Sequence, residues 1–187
     1  LSLPADESAT LLAPLLRDRD EFVRREAAYV LGATRSRGAV PALIALLESD
    51  KQPAVRAAAA VALGEIADAS GVEALVGALS RKLPASGFLN RLRRKKVEED
   101  AFVQRSAAAS LGQIGSREAV PALVAALSNE RAPLDLRREA ARSLGMIGDL
   151  SAVPSLRAAL TSQDAYLSRI AFEALRKLDP AAATRPT

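Results

Sequence analysis

Two short markers run through this chain and stay in phase. The pair Leu-Gly stands at Leu31-Gly32, Leu63-Gly64, Leu111-Gly112 and Leu144-Gly145, with a degenerate copy at Leu175-Arg176. Its spacings are 32, 48, 33 and 31 residues. Val40-Pro41-Ala42-Leu43 returns as Val72-Glu73-Ala74-Leu75, Val120-Pro121-Ala122-Leu123 and Val153-Pro154-Ser155-Leu156, at spacings of 32, 48 and 33. Two independent markers that keep step define a repeat unit. A period of about 20–50 residues is the signature of stacked supersecondary units rather than of a single closed core.

Each unit reads as two helices. The first opens with proline at Pro41, Pro121 and Pro154, which suits a first helical turn because its missing N–H has no partner there anyway. The second helix carries apolar residues at steps 0, 4, 8 and 11 from its first marker. These are Val23, Ala27, Leu31 and Thr34; Val55, Ala59, Leu63 and Ile66; Val103, Ala107, Leu111 and Ile114; Leu136, Ala140, Leu144 and Ile147; and Leu167, Ala171, Leu175 and Leu178. At about 100° per residue they share one face. Asp20 and Asp164 are placed to cap helix starts, and Gly115 and Gly148 to cap helix ends.

The hydrophobic fraction of 49% is mostly Ala, Leu and Val, with aromatics at 3%. Ala and Leu are strong helix formers, so the chain is expected to be all-α. A pair of short helices cannot bury its stripe alone, whereas stacked neighbours can. The expectation is one α-solenoid domain over 1–187, with repeats at about 9–35, 39–67, 71–115, 119–148 and 152–178. Stretches 1–8 and 180–187 read as tails. Adjacent acidic clusters, Asp18, Asp20 and Glu21 and then Glu98, Glu99 and Asp100, read as helix starts, where carboxylates suit the helix dipole.

The residues Ala-Val-Pro-Ala-Leu at 39–43 and 119–123, Val55-Arg56-Ala57-Ala58-Ala59 and Leu63-Gly64-Glu65-Ile66 resemble the short HEAT-like repeats named after phycobilisome lyases. The resemblance covers nearly the whole chain except 81–100. It implies a right-handed α-solenoid whose second helices line a concave surface, and a protein that binds other proteins. A phycobilin lyase-like or phycobilisome-associated chaperone role is a further implication.

Composition removes whole classes of chemistry. There is no Cys, His or Trp. That excludes zinc fingers, disulfides, Cys or His nucleophiles and a Ser-His-Asp triad. The His-Glu iron sites of HEAT-like deoxyhypusine hydroxylases are excluded too, and the Trp-rich cleft of HEAT-like alkylpurine DNA glycosylases has no counterpart. No cofactor, metal or catalytic residue is expected. No apolar run reaches the roughly 18 residues of a membrane span, so a cytoplasmic protein is expected.

Two features are candidates for binding. The first is an insert at 81–100. Other units leave 6 to 8 residues between the flanking apolar markers, but Leu79 and Val103 are separated by 23. Positions 81–96 hold seven basic residues and no acidic one. Removing them from the 26 basic residues leaves 19 against 22 acidic, so the scaffold is about −3 within a chain of net charge +4. Phe88, Arg91, Arg93, Arg94, Lys95 and Lys96 are its candidate contacts, for an acidic partner or for nucleic acid. The alternative reading is a solvated extension of the second helix, with Arg94–Glu98, Lys95–Glu99 and Lys96–Asp100 pairing at i,i+4. The second feature is the exposed face of the second helices, at steps 2, 6 and 10. Here Arg25, Tyr29, Ala57, Val61, Arg105, Arg138, Arg142 and Arg169 read as an apolar N-terminal part and a basic C-terminal part. The leading expectation is a non-catalytic adaptor for a protein with an acidic surface, and non-sequence-specific nucleic-acid binding is the alternative. The sequence leaves the oligomeric state open.

Overall fold

A computed structural model describes residues 5–81 and 90–183, with side chains for 7–81 and 98–181. The described residues form ten α-helices joined by short 3-10 turns, with no strand among them. Unit one pairs α1 (Ala5–Leu12), continued by the turn Ala13–Arg17, with α2 (Glu21–Ala33). Units two and three pair α3 (Val40–Ser49) with α4 (Pro53–Ile66), and α5 (Val72–Ser80) with α6 (Asn90–Ile114). Units four and five pair α7 (Val120–Ser128) with α8 (Leu134–Ile147), and α9 (Val153–Ala159) with α10 (Ala165–Leu178). The result is the expected α-solenoid.

The local signals act as the residues dictate. Pro41, Pro121 and Pro154 sit in the first turns of α3, α7 and α9. Asp20 accepts from the Phe22 N–H and Asp164 from the Leu167 N–H, capping α2 and α10. Gly115 and Gly148 take φ of 75° and 76°, and donate their N–H groups to Leu111 and Leu144 at 3.1 Å. Such left-handed caps are strained for any residue with a Cβ. Ala67 nevertheless holds the same place after α4, at φ 55°.

The core is a leucine column. Leu31, Leu63, Leu111, Leu144 and Leu175 from the second helices are fully buried, as are Leu43, Leu75, Leu123 and Leu156 from the first. Truncating one such leucine to alanine costs about 2–5 kcal/mol.

The second helices pack on one another in an unbroken series, α2 on α4, α4 on α6, α6 on α8 and α8 on α10, far more closely than the first helices do. The repeated glycine explains the closeness. A Cβ on Gly112 would stand 2.9 Å from the Ser143 Cα, and one on Gly145 would stand 2.7 Å from the Ala174 Cβ. Step 9 of each helix is thus a notch that receives the small residue at step 7 of the next: Ala62, Ser110, Ser143 or Ala174. The Ser110 hydroxyl donates to the Ala60 carbonyl at 2.7 Å, and the Ser143 hydroxyl to Ala108 at 2.8 Å. Crowding on this side brings the second helices into their close contact. The rule lapses at both ends, where α2 has the exposed Val30 at step 7 and α10 has Arg176 at step 9.

Four expectations change in detail. Ala57 is fully buried rather than exposed, because α4 is enclosed by α2, α3 and α6. Residues 90–100 are helical and belong to α6, so Glu98, Glu99 and Asp100 lie inside a helix rather than at its start. Asp100 pairs with Arg56 of the preceding unit at 2.6 Å, a partner that the i,i+4 reading did not include, and the Lys96 side chain lies outside the described residues. Finally, helix begins at Ala5 and Ser8 is fully buried, while Pro180–Ala183 form a 3-10 turn packed on α10. The stretches read as tails therefore contain ordered structure.

Candidate protein-binding face

Step 1 of every second helix fastens its own unit. Arg24 donates to the Asp18 carbonyl at 2.8 Å, Arg56 to Asp50 at 2.8 Å, Gln104 to Leu79 at 2.9 Å, Arg137 to Leu127 at 2.9 Å and Ser168 to Leu160 at 2.8 Å. These carbonyls end the first helix or belong to the turn after it, so the turn is held against the second helix. In unit three the same side chain also takes the Arg81 carbonyl at 2.7 Å. Gln104 therefore roots the near end of the insert, while Asp100 on Arg56 roots the far end.

A second ladder runs between units. Arg24 meets Asp50 at 2.7 Å, Arg56 meets Asp100 at 2.6 Å, Arg105 meets Asp135 at 3.7 Å, and Arg138 meets Asp164 in a tight pair. Each arginine reaches one unit forward. The Asp164 carboxyl is held below the usual carboxylate range by its hydrogen bond with Arg138, and then by the Leu167 N–H. The same bond raises the Arg138 guanidinium.

These pairings recast the basic face. On its C-terminal half, Arg105, Arg138, Arg142 and Arg169 face the carboxylates Asp135, Asp164, Glu139 and Glu173. Each of these four arginines has a carboxylate partner, so the row presents ion pairs rather than bare cations. Arg105, Asp135, Arg138, Arg142, Tyr166 and Arg169 come together around a groove of about 310 Å³. Arg25 lies at the other end of the face and pairs with Glu26 at 2.9 Å. Tyr29 is 37% exposed and Val61 half-buried. Phe88 lies outside the described residues. Arg91, Arg93, Arg94, Lys95 and Lys96 occupy the first two turns of α6, and their side chains lie outside the described set.

Three further residues join this face that steps 2, 6 and 10 did not reach. Phe22, Phe102 and Tyr166 precede the first apolar marker of α2, α6 and α10, and all three are exposed. Their signal is present in the sequence as an aromatic residue three positions before an arginine. A separate groove of about 550 Å³ opens at the far ends of α2, α4 and α6, among Gly32, Arg35, Arg37, Gly64, Glu65 and Gln113. No group of three or more Asp or Glu side chains able to hold a metal ion occurs among the described residues. No described helix is long and apolar enough to cross a membrane.

The family model for HEAT repeats matches residues 8–84 and 85–176. This chain is a HEAT-repeat protein. Among solved structures, the HEAT-repeat protein is similar to one in the complex of CpcE and CpcF of phycocyanin lyase from a Nostoc species, at 25% identity and a TM-score of 0.75. That match covers 93% of this chain and 66% of the other, so this chain spans a little under two thirds of that relative. It is also similar to a crystal structure of an engineered protein, at 26% identity and a TM-score of 0.60, covering 92% of this chain and 79% of that one. None of the curated proteins matches it. The repeats are thus of the short, phycobilisome-lyase type expected from the residues at 39–43 and 119–123.

Proposed function

We propose that this HEAT-repeat protein is a scaffold that binds another protein across the face of its second helices. One observation carries the reading: the arginines of that face are matched by carboxylates of the same face, while large apolar side chains beside them stay exposed. Nucleic-acid binders need unmatched cations that displace counterions from phosphates. Protein interfaces instead favour exposed aromatics beside arginine, ringed by polar pairs. Tyr29 and Val61 at one end, and Arg105, Arg138, Arg142 and Arg169 at the other, are the proposed contacts, and the basic start of α6 is a second one.

The test is affinity capture with the wild-type chain and with a Tyr29→Ala, Arg142→Glu variant. A specific partner that binds the wild type and is depleted on the variant supports the face. An identical partner set on both proteins removes it. Fluorescence anisotropy with random duplex and single-stranded DNA belongs beside it. Salt-sensitive DNA binding, lost when Arg91, Arg93, Arg94, Lys95 and Lys96 become Gln, would replace the scaffold reading with a nucleic-acid one.

A second reading has one observation of its own, the likeness to a chain of a two-protein phycocyanin lyase complex. On that reading the protein acts on a chromophore-bearing protein, alone or with a second HEAT-repeat chain. Bilin absorbance titrations and transfer assays test it. Neither bilin binding nor transfer, with and without a second chain, would remove it.

A further inference from the structure

Three exposed aromatic rings recur at one position of the repeat. Phe22, Phe102 and Tyr166 each stand one residue before the first marker of their second helix and are 58%, 42% and 62% exposed. Each carries an arginine over its ring from three residues further on: Arg25 at 5.1 Å, Arg105 at 5.2 Å and Arg169 at 5.6 Å from the ring centre. Tyr166 receives a second guanidinium from Arg138 on α8, at 5.2 Å. The pattern belongs to units one, three and five. Unit two has Ala54 and Ala57 at the same places, and unit four has Asp135 and Arg138.

Nothing in the fold calls for these rings. The leucine column is complete without them, and about half of each ring's surface remains in water. What they create is a set of firm apolar platforms, each edged by a cation. Two of the three cations are loosely committed. The Arg105–Asp135 pair spans 3.7 Å and Arg169–Glu173 spans 3.9 Å, well beyond the roughly 2.7–2.9 Å of a strong charge-assisted bond. Arg25 is bound closely, at 2.9 Å, but its partner is the neighbouring Glu26, itself 62% exposed. Exposed pairs of this kind contribute little and exchange readily. Arg138 is different, because Asp164 beneath it is nearly buried.

We propose that the three stacks are a docking rail for one acidic protein segment that carries apolar side chains beside its carboxylates. The apolar side chains would cover the rings, and the carboxylates would take over Arg25, Arg105 and Arg169. Packed helices lie about 8–10 Å apart, so stacks two units apart are separated by roughly 16–20 Å. An extended segment rises about 3.3 Å per residue, so its anchors fall about five or six residues apart. This inference rests on the scaffold reading above and names the chemistry of the partner.

The experiment is selection of a display library of random 20-residue peptides on the immobilised full chain. Enriched peptides are then synthesised and titrated by fluorescence anisotropy. The rail requires enriched peptides that combine Asp or Glu with large apolar residues. Phe102→Ala should weaken them about five- to tenfold, the effect of truncating one contributing interface side chain short of hot-spot strength. The triple change Phe22→Ala, Phe102→Ala, Tyr166→Ala should weaken them by at least about a hundredfold, because linked contacts multiply. Leu11→Ala, at an exposed side chain on the first helix α1 and away from the second-helix face, should leave them unchanged. A second variant, Arg25→Gln, Arg105→Gln, Arg169→Gln, keeps every ring, and it should bind the peptides at least about tenfold more weakly and with a flatter salt dependence. Circular dichroism melts check that each variant is folded.

Enriched peptides without carboxylates would overturn the rail, as would peptides bound within twofold by folded triple variants. Displacement of the peptides by a 20-nucleotide DNA at equal affinity would overturn it as well. A partner captured equally by the wild type and the triple variant removes the rail and leaves the scaffold reading standing. No specific protein captured by any form removes both.

Discussion

Replacing Gly112 by alanine separates the close-packing account from simple helix propensity. Propensity alone favours the change, since Ala is better than Gly in a helix interior by about 0.8–1 kcal/mol. The notch opposes it. The new Cβ would stand 2.6 Å from the Ser143 Oγ, 2.8 Å from its Cβ and 2.9 Å from its Cα. Ordinary carbon contacts lie near 3.5–4.0 Å, so α8 must retreat by roughly 0.6–1 Å along the contact. Overpacking of that kind costs about 1–3 kcal/mol. Ser143 is fully buried and donates to Ala108 at 2.8 Å, so displacing its hydroxyl adds about 1 kcal/mol or more. Once the propensity gain is offset against the overpacking and the disturbed hydrogen bond, the net is a loss of about 2 kcal/mol. For a chain of this size that lowers the melting temperature by about 4–8 °C. The internal control is Gly77 in α5, where an added Cβ meets nothing within 4 Å. Gly77→Ala should gain about 0.8–1 kcal/mol. Both are read by urea unfolding, followed by circular dichroism and by a second probe to check that the transition is two-state. If Gly112→Ala stabilises the chain as Gly77→Ala does, the notch is not what sets the helix spacing.

Three other outcomes follow from the same contacts. Asp100→Ala strands Arg56, whose side chain is 9% exposed, and should cost about 3–5 kcal/mol in urea, with most of it recovered when Arg56→Met is added. Ala67→Gly relieves a left-handed backbone at φ 55° and should raise stability by about 0.5–1 kcal/mol, whereas Gly148→Ala at φ 76° should lower it by a similar amount. Asp68, Asp149 and Asp164 are all held below the usual carboxylate range, the first two by the Ser70 and Ser151 side chains and the last by Arg138. Their folded forms bind protons less readily than the unfolded chain. Their stabilisation is therefore complete above about pH 4, the unfolded carboxylate range, and is lost as pH falls through their lower folded values. Melting temperatures measured down the acid limb should show this fall, and Asp164→Asn should flatten it. A slope equal to that of the wild type would remove Asp164 from the account.

Much of this was legible in the residues, and the reasons are local. A helix cap depends on neighbours in the chain, so Asp20, Asp164, Gly115 and Gly148 announced themselves. A repeat depends on two markers keeping phase, so the five units and the insert were readable from Leu-Gly and Val-Pro-Ala-Leu alone. The face was harder. Steps 2, 6 and 10 assign exposure as though each helix stood alone, but Ala57 is enclosed because α4 has neighbours on three sides. The cluster Glu98-Glu99-Asp100 looked like a helix start because nothing in the sequence marks α6 as beginning at Asn90.

Charge shows the division best. The residues themselves set how many arginines and carboxylates there are, and their spacing puts Arg105, Arg138, Arg142 and Arg169 on one row. Spacing does not tell that Arg138 finds Asp164, 26 residues away, or that Arg56 finds Asp100, 44 residues away. Those meetings depend on how far each unit is shifted against the next, and that shift is set by a glycine notch receiving a small side chain. Periodicity and capping are short-range and belong to the chain itself. Which charges are already matched, and which aromatic rings remain uncovered, is decided only when the helices close on one another.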